Sequence, residues 1–177
     1  MPRAVVLTIS DTRSAGRNDD RSGPAVADRL RADGLEILAA EVIPDDRLLI
    51  ESRLRHYLGR ADLIVTTGGT GVGPRDVTPE AAAAVIEQPL PGFGEIMRTR
   101  TFDATPLAIC SRGGAGVAGR TLIVCLPGSP RAVGQCLDLV LPAARHLVRL
   151  LAGGRDGCST DTAPDAGARL HDSTARP

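Results

Sequence analysis

A chain of 177 residues can bury one substantial core and is short for two ordinary domains. Its 21 basic residues balance 21 acidic ones, and it holds only two Phe and one Tyr, which argues against a nucleic-acid groove, an anionic-membrane surface or a platform for stacked bases. Four cysteines without C-x-x-C spacing, Cys110, Cys125, Cys136 and Cys158, read as reduced, buried thiols, since three of them sit in apolar segments.

Along the chain, short apolar runs alternate with amphipathic ones. That is the pattern of an α/β fold with a mostly parallel sheet and helices on both faces. Residues 4–9 make a first strand, with no long apolar stretch or cleavage site of a secretory leader around it, and no run reaches membrane-spanning length. The expectation is a soluble, cytoplasmic protein. Residues 11–20 read as a polar loop, and Ser22-Gly23-Pro24 opens a helix that runs to 32 before Gly34 stops it. Residues 36–43 form a second strand. Pro44-Asp45-Asp46 begins a helix in which Ile50, Leu54, Tyr57 and Leu58 recur at helical spacing up to Gly59.

Residues 62–67 form a third strand that empties into Gly68-Gly69-Thr70-Gly71. An alanine-rich helix is expected over 78–87, with Thr78 as its N-cap and Pro79 in its first turn. Residues 89–92 break it, a further helix covers 93–101, and a shorter one lies near Leu107. Gly114-Ala115-Gly116-Val117-Ala118-Gly119 has the spacing of a dinucleotide fingerprint, but a strand follows it where a helix is required; a tight turn into strand 121–126 explains it better. The turn Pro127-Gly128-Ser129-Pro130 ends that strand. A last helix runs to Leu151 and should be kinked or divided at Pro142. Residues 1–153 form one domain, and 154–177, without apolar periodicity, are expected to be a disordered tail.

The chemistry concentrates at the glycine loop. Glycines at the end of a strand leave backbone amides open to an anion, and the loop closes on Arg75 and Asp76. It is not a P-loop, because no lysine lies near it. Asp45 follows the second strand and Asp76 the third, so in a parallel sheet both fall at carboxyl ends, where open α/β folds build their sites. Carboxylates beside a polyphosphate repel it unless a cation intervenes, and Mg²⁺, with its preference for oxygen, is the natural mediator. The plain alternatives are an N-cap role for Asp45 and a salt bridge between Asp76 and Arg75. Ser10-Asp11-Thr12 adds hydroxyls and another acid on the same edge. His56, His146 and His171 share no partner spacing, and no nucleophile elbow is present.

Taken together, Ser10-Asp11-Thr12, Asp20-Arg21-Ser22-Gly23-Pro24, Pro44-Asp45-Asp46, the run from Thr66 to Ala81, Pro91-Gly92-Phe93-Gly94-Glu95, Ser111-Arg112 and Leu126-Pro127-Gly128-Ser129-Pro130 resemble the molybdopterin adenylyltransferases of the MogA/MoaB type, including the G domains of gephyrin and its plant counterpart. The match spans roughly residues 4–151, with the blocks in the family's order. The resemblance implies the MogA/MoaB three-layer fold, and Mg²⁺-dependent transfer of AMP from ATP to the terminal phosphate of molybdopterin, with release of pyrophosphate. It places Asp45 and Asp76 at the two catalytic aspartates, which would also hold the metal. Molybdopterin falls near Ser111 and Arg112, nucleotide or phosphate contacts run along Gly68, Gly69, Thr70 and Gly71, and Thr67 is a further substrate-binding position. Ser10, Asp11, Arg75, Gly92, Glu95, Pro127, Gly128 and Ser129 border the substrates. Members of this family commonly form trimers, and some bacterial ones hexamers. Two other readings use the same fold: a module that binds molybdopterin without adenylating it, and a scaffold that binds neither ligand.

Overall fold

Alternation along β1 (Arg3–Ile9) sends Ala4 and Val6 to one face of the sheet and Val5, Leu7 and Ile9 to the other, and all five are buried. A strand apolar on both faces must be covered on both faces, which dictates three layers. The computed structural model describes residues 1–154, so the expected tail, with Cys158 and His171, falls from residue 155 outside the described residues.

After β1 come α1 (Asp11–Ser14), α2 (Ser22–Ala32), β2 (Glu36–Ile43), α3 (Arg47–Tyr57) and β3 (Leu63–Thr67). They are followed by α4 (Thr78–Ala83), β4 (Gln88–Leu90), α5 (Pro91–Thr101), a 3-10 turn (Pro106–Cys110), β5 (Gly114–Ala118), β6 (Thr121–Leu126) and α6 (Pro130–Leu151). The six strands lie in the order β2-β1-β3-β6-β5-β4. β2, β1, β3 and β6 are parallel, whereas β5 runs antiparallel to both β6 and β4. One core packs α2, α5 and α6 against the face carrying Val6, Val65 and Val124. The other packs α3 and α4 against Leu7, Ile64 and Ile123.

Several expectations need correction. The segment 11–20 is not all loop: Ser10 accepts from the Arg13 amide and starts the short α1. The helix from Thr78 ends at Ala83, because residues 88–90 find a partner in β5 and become an outer strand, where Pro89 is tolerated. Gly114–Ala118 is strand rather than turn, and only Gly119, at φ +57°, makes the bend into β6. Pro142 does not divide α6, which continues from Pro130 to Leu151; Pro142 and Asp138, whose carbonyl its missing N–H would have met, both lie on the solvent side. Cys110 is exposed, while burial pushes the thiols of Cys125 and Cys136 up to about 11.

A polar cluster ties α3 to the edge strand β2. Arg53 Nε donates to Glu41 Oε2 at 2.8 Å, Arg53 Nη2 and the Tyr57 hydroxyl both reach Glu41 Oε1, and the guanidinium lies over the Tyr57 ring. Burial raises the Glu41 pKa, but the bonds from Arg53 and Tyr57 outweigh it, so the carboxyl sits below 4.5. A depressed acid stabilises the fold above its unfolded value and loses that contribution as pH falls through the folded one. Glu41→Gln is therefore expected to cost about 1 kcal/mol at pH 7, roughly 2–4 °C in Tm, and progressively less as pH falls from 4.5 through the lower folded value. Thermal melts across that range check it; an equal loss at both ends would show packing, not charge, to be responsible.

Candidate active site

The four parallel strands end at one edge of the sheet, and the chain leaves β1 toward β2 on one side and returns to β3 on the other. A cleft opens where connections diverge in this way. Ser10 and Asp11 follow β1, Asp45 follows β2, Gly68 to Gly71 follow β3, and Pro127 to Ser129 follow β6.

Two glycines of the loop take left-handed conformations, Gly68 at φ +103° and Gly69 at φ +61°. A Cβ at Gly68 would collide with the Ile9 carbonyl, and one at Gly69 would collide with the Thr78 hydroxyl and lie 3.0 Å from Asp45 Oδ1. A Cβ at Gly71 would come within 2.8 Å of Asp76 Oδ2. Both carboxylates thus stand against one stretch of bare backbone. The Gly68 amide donates to the Leu126 carbonyl, but among the described residues those of Gly69, Thr70 and Gly71 donate no hydrogen bond.

The N-cap of α3 is Asp46, whose side chain accepts from the Leu49 amide. That leaves Asp45 free of capping. Asp45 and Asp11 clasp each other instead: the Asp11 amide donates to Asp45 Oδ2 at 2.8 Å and the Asp45 amide to Asp11 Oδ1 at 3.0 Å. Burial, and then the like charges of Asp11 and Asp76, raise the Asp45 pKa above its ordinary value, so its charge is held at a cost that a cation would relieve. Arg75 pairs not with Asp76 but with Asp11, by two bonds of 2.9 Å from Nε and Nη2, and these bonds hold the Asp11 carboxyl below its usual range. Asp76 Oδ2 instead accepts from the Gly73 amide at 2.8 Å.

Thr67, expected among the substrate contacts, is fully buried and its hydroxyl donates to the Pro127 carbonyl at 2.7 Å. It fixes the β6 loop to the β3 loop. Thr78 is not the N-cap of α4, a place taken by Val77. Its hydroxyl donates to the Gly68 carbonyl at 2.9 Å. Arg112 donates from Nε to the Gly71 carbonyl at 2.7 Å and from Nη2 to the Asp76 carbonyl at 2.6 Å, and pairs with Glu80. Three supports were not read as site residues from the sequence. Glu80 anchors Arg112; Asp20 accepts from the Ser22 and Gly23 amides and the Thr8 hydroxyl; and the Ser22 hydroxyl donates to the Gly128 carbonyl at 2.7 Å. Their only sequence signal was membership of the polar blocks around the glycine loop and after residue 20.

Beside the loop lies a mainly apolar cavity of about 290 Å³, walled by Met97, Leu107, Ala132 and Cys136, with Arg98, Ser111, Ser129 and Gln135 among its polar groups. Such a slot suits a flat heterocycle held by a few polar contacts. Pro127 and Gly128 also border it, and a Cβ at Gly128 would lie 3.2 Å from Gly68 Cα, so cavity and loop adjoin. Asp45 and Asp76 are not in the cavity wall, nor are Gly92 and Glu95, which sit exposed on α5. Among the described residues no group of three or more His, Cys, Asp or Glu could hold a metal by itself. The oxygen-only pair Asp45 and Asp76 fits Mg²⁺, which is bound by one or two carboxylates together with water and substrate phosphates.

A family model described as a probable molybdopterin binding domain matches residues 5–146. The chain is 43% identical over 152 residues to a molybdopterin adenylyltransferase of Helicobacter pylori, covering 84% of this chain and 86% of that one. It is 37% identical to molybdenum cofactor biosynthesis protein B of Staphylococcus aureus, covering 84% and 91%. The crystal structure of the molybdopterin biosynthesis enzyme MoaB from Thermus thermophilus superposes with a TM-score of 0.81 at 42% identity, covering 86% of this chain and 98% of that one.

Proposed function

The chain belongs to the family of probable molybdopterin binding domains, and from that premise we propose that it is the adenylyltransferase of molybdenum cofactor biosynthesis, moving AMP from ATP to the terminal phosphate of molybdopterin. One observation carries the reading: Asp45 and Asp76 stand against a single glycine loop with unused amides, beside an apolar cavity.

An oxygen of the pterin's terminal phosphate bonds to the α-phosphorus of ATP, and the bridge from α- to β-phosphorus breaks. Pyrophosphate leaves with the electron pair. No protein nucleophile is required, so the protein's work is alignment and charge. The amides of Gly69, Thr70 and Gly71 donate to phosphate oxygens. Ser111 and Ser129 at the cavity rim orient the pterin and its phosphate, and the apolar wall excludes water from the ring. Asp11, locked by Arg75, fixes the Asp45 carboxylate through its own amide. Asp45 and Asp76 are the residues that would hold Mg²⁺, which when bound neutralises triphosphate charge.

A module that only binds the pterin would need the cavity, yet it has no use for two carboxylates over open amides. A homo-oligomer, trimeric or hexameric, and a cytoplasmic setting complete the reading, supported by the resemblance of the sequence blocks. Among the described residues no helix is long and apolar enough to cross a membrane. The test is to incubate purified protein with molybdopterin, Mg²⁺ and ATP labelled at the α-phosphate. Label is expected in the pterin, with one pyrophosphate released per transfer. Tight pterin binding with no label transferred would leave the binding module in its place.

A further inference from the structure

Each carbonyl along the glycine loop is captured by a named donor. The Gly68 carbonyl accepts from the Thr78 hydroxyl at 2.9 Å and the Gly69 carbonyl from the Thr78 amide at 3.1 Å. The Thr70 carbonyl accepts from the Arg112 amide at 2.8 Å and the Gly71 carbonyl from Arg112 Nε at 2.7 Å. In a planar trans peptide the N–H of the next residue points opposite to the carbonyl, and no peptide bond here is cis. Tying down those four carbonyls therefore aims the amides of Gly69, Thr70, Gly71 and Val72 away from α4 and Arg112. These are the amides that find no acceptor among the described residues.

We infer that Arg112 and Thr78 are positioning residues that set the direction of the phosphate-binding amides, and that Arg112 acts on the nucleotide side through the loop rather than by touching the pterin. The inference rests on the proposed reading in one respect, that the loop receives phosphate. Arg112 suits the task because its planar fork reaches the Gly71 and Asp76 carbonyls and Glu80 together. A lysine would keep the charge but cannot span the three acceptors from one ammonium. Thr78 is fully buried, so its hydroxyl cannot exchange the Gly68 carbonyl for water.

The test follows the amide NMR signals of Gly69 to Val72 in the full chain as inorganic pyrophosphate is added, with molybdopterin binding measured separately by calorimetry. In the native protein all four signals are expected to shift. Arg112→Lys and Thr78→Val are expected to weaken pyrophosphate binding roughly tenfold or more and to leave molybdopterin affinity within about twofold, with the KM for ATP raised. Thr78→Ser, which keeps the hydroxyl, should restore native pyrophosphate affinity, a rescue that a generally loosened fold would not give. Native pyrophosphate binding in Arg112→Lys, or a loss of pterin affinity in its place, overturns the inference and returns Arg112 to the pterin. Four unmoved amides in the native protein would overturn it as well, whereas the α-labelled ATP assay judges the transfer reaction on its own.

Discussion

Asp76→Asn is expected to lower turnover about a thousandfold while molybdopterin binds as before, and Asp45→Asn to do the same. Both changes spare the local geometry, since an Asn oxygen can still accept from the Gly73 amide at residue 76 or from the Asp11 amide at residue 45. What they remove is charge. The two variants separate in stability. Burial and the neighbouring acids place the Asp45 carboxyl above its ordinary 3.8, and an acid raised on folding loses stability as pH climbs from the unfolded value through the folded one. Asp45→Asn should accordingly melt at or above the native temperature at pH 7, and the advantage should vanish near pH 3, where the native carboxyl is protonated in both states. A gain in stability at the expense of turnover is the signature of a side chain kept for chemistry. Native turnover in either variant at saturating Mg·ATP would remove that aspartate from the reaction.

The parts of this site that local pattern could convey are those set by strand ends. Placing Asp45 and Asp76 at one edge needs only the alternation of apolar runs, and the sheet order supports the same edge. Pairing across the edge is a different matter. Arg75 has Asp76 as its chain neighbour, yet it bonds to Asp11, 64 residues away, because the loops after β1 and β3 face each other. Arg112 reached the glycine loop from 41 residues downstream, and nothing in Ser111-Arg112 announces that its acceptors are carbonyls. At Pro44-Asp45-Asp46 and Val77-Thr78 the cap was ambiguous by one residue. The shift decides function at both places, freeing Asp45 for the site and Thr78 for the Gly68 carbonyl.

In the fold, elements with a full apolar period were legible to within a residue or two, among them α2, β2 and β6. The two unforeseen strands both lie between α4 and β6. There Gln88–Leu90 and Gly114–Ala118 are strands only because they pair with each other and with Thr121–Leu126. Glycine-rich and proline-bearing segments have weak strand preference, and tertiary pairing overrides it. Packing explains one of those glycines, since a Cβ on Gly116 would collide with Ile86 in the connection after α4.

Gly68→Ala is expected to be the most damaging single methyl in the described chain. At φ +103° an L side chain is strained, and the new Cβ would run into the carbonyl oxygen of Ile9. That oxygen cannot move aside, because Ile9 ends β1, which is held between β2 and β3, and the next amide, that of Ser10, is bonded to the Ile43 carbonyl. On the other side Gly128 packs against Gly68 Cα, so relief by shifting the loop would open the junction with the apolar cavity. The expected loss is about 3 kcal/mol, or roughly 6–12 °C in Tm, with transfer activity reduced to background. Gly134→Ala is the matched comparison, since Gly134 lies in α6 with a negative φ and no atom within 4 Å of a new Cβ. There the same methyl should raise stability by about 0.5–1 kcal/mol. If Gly68→Ala melted with the native protein, the close approach of the β3 loop to β1 would be wrong, and with it the placement of the amides on which phosphate binding depends.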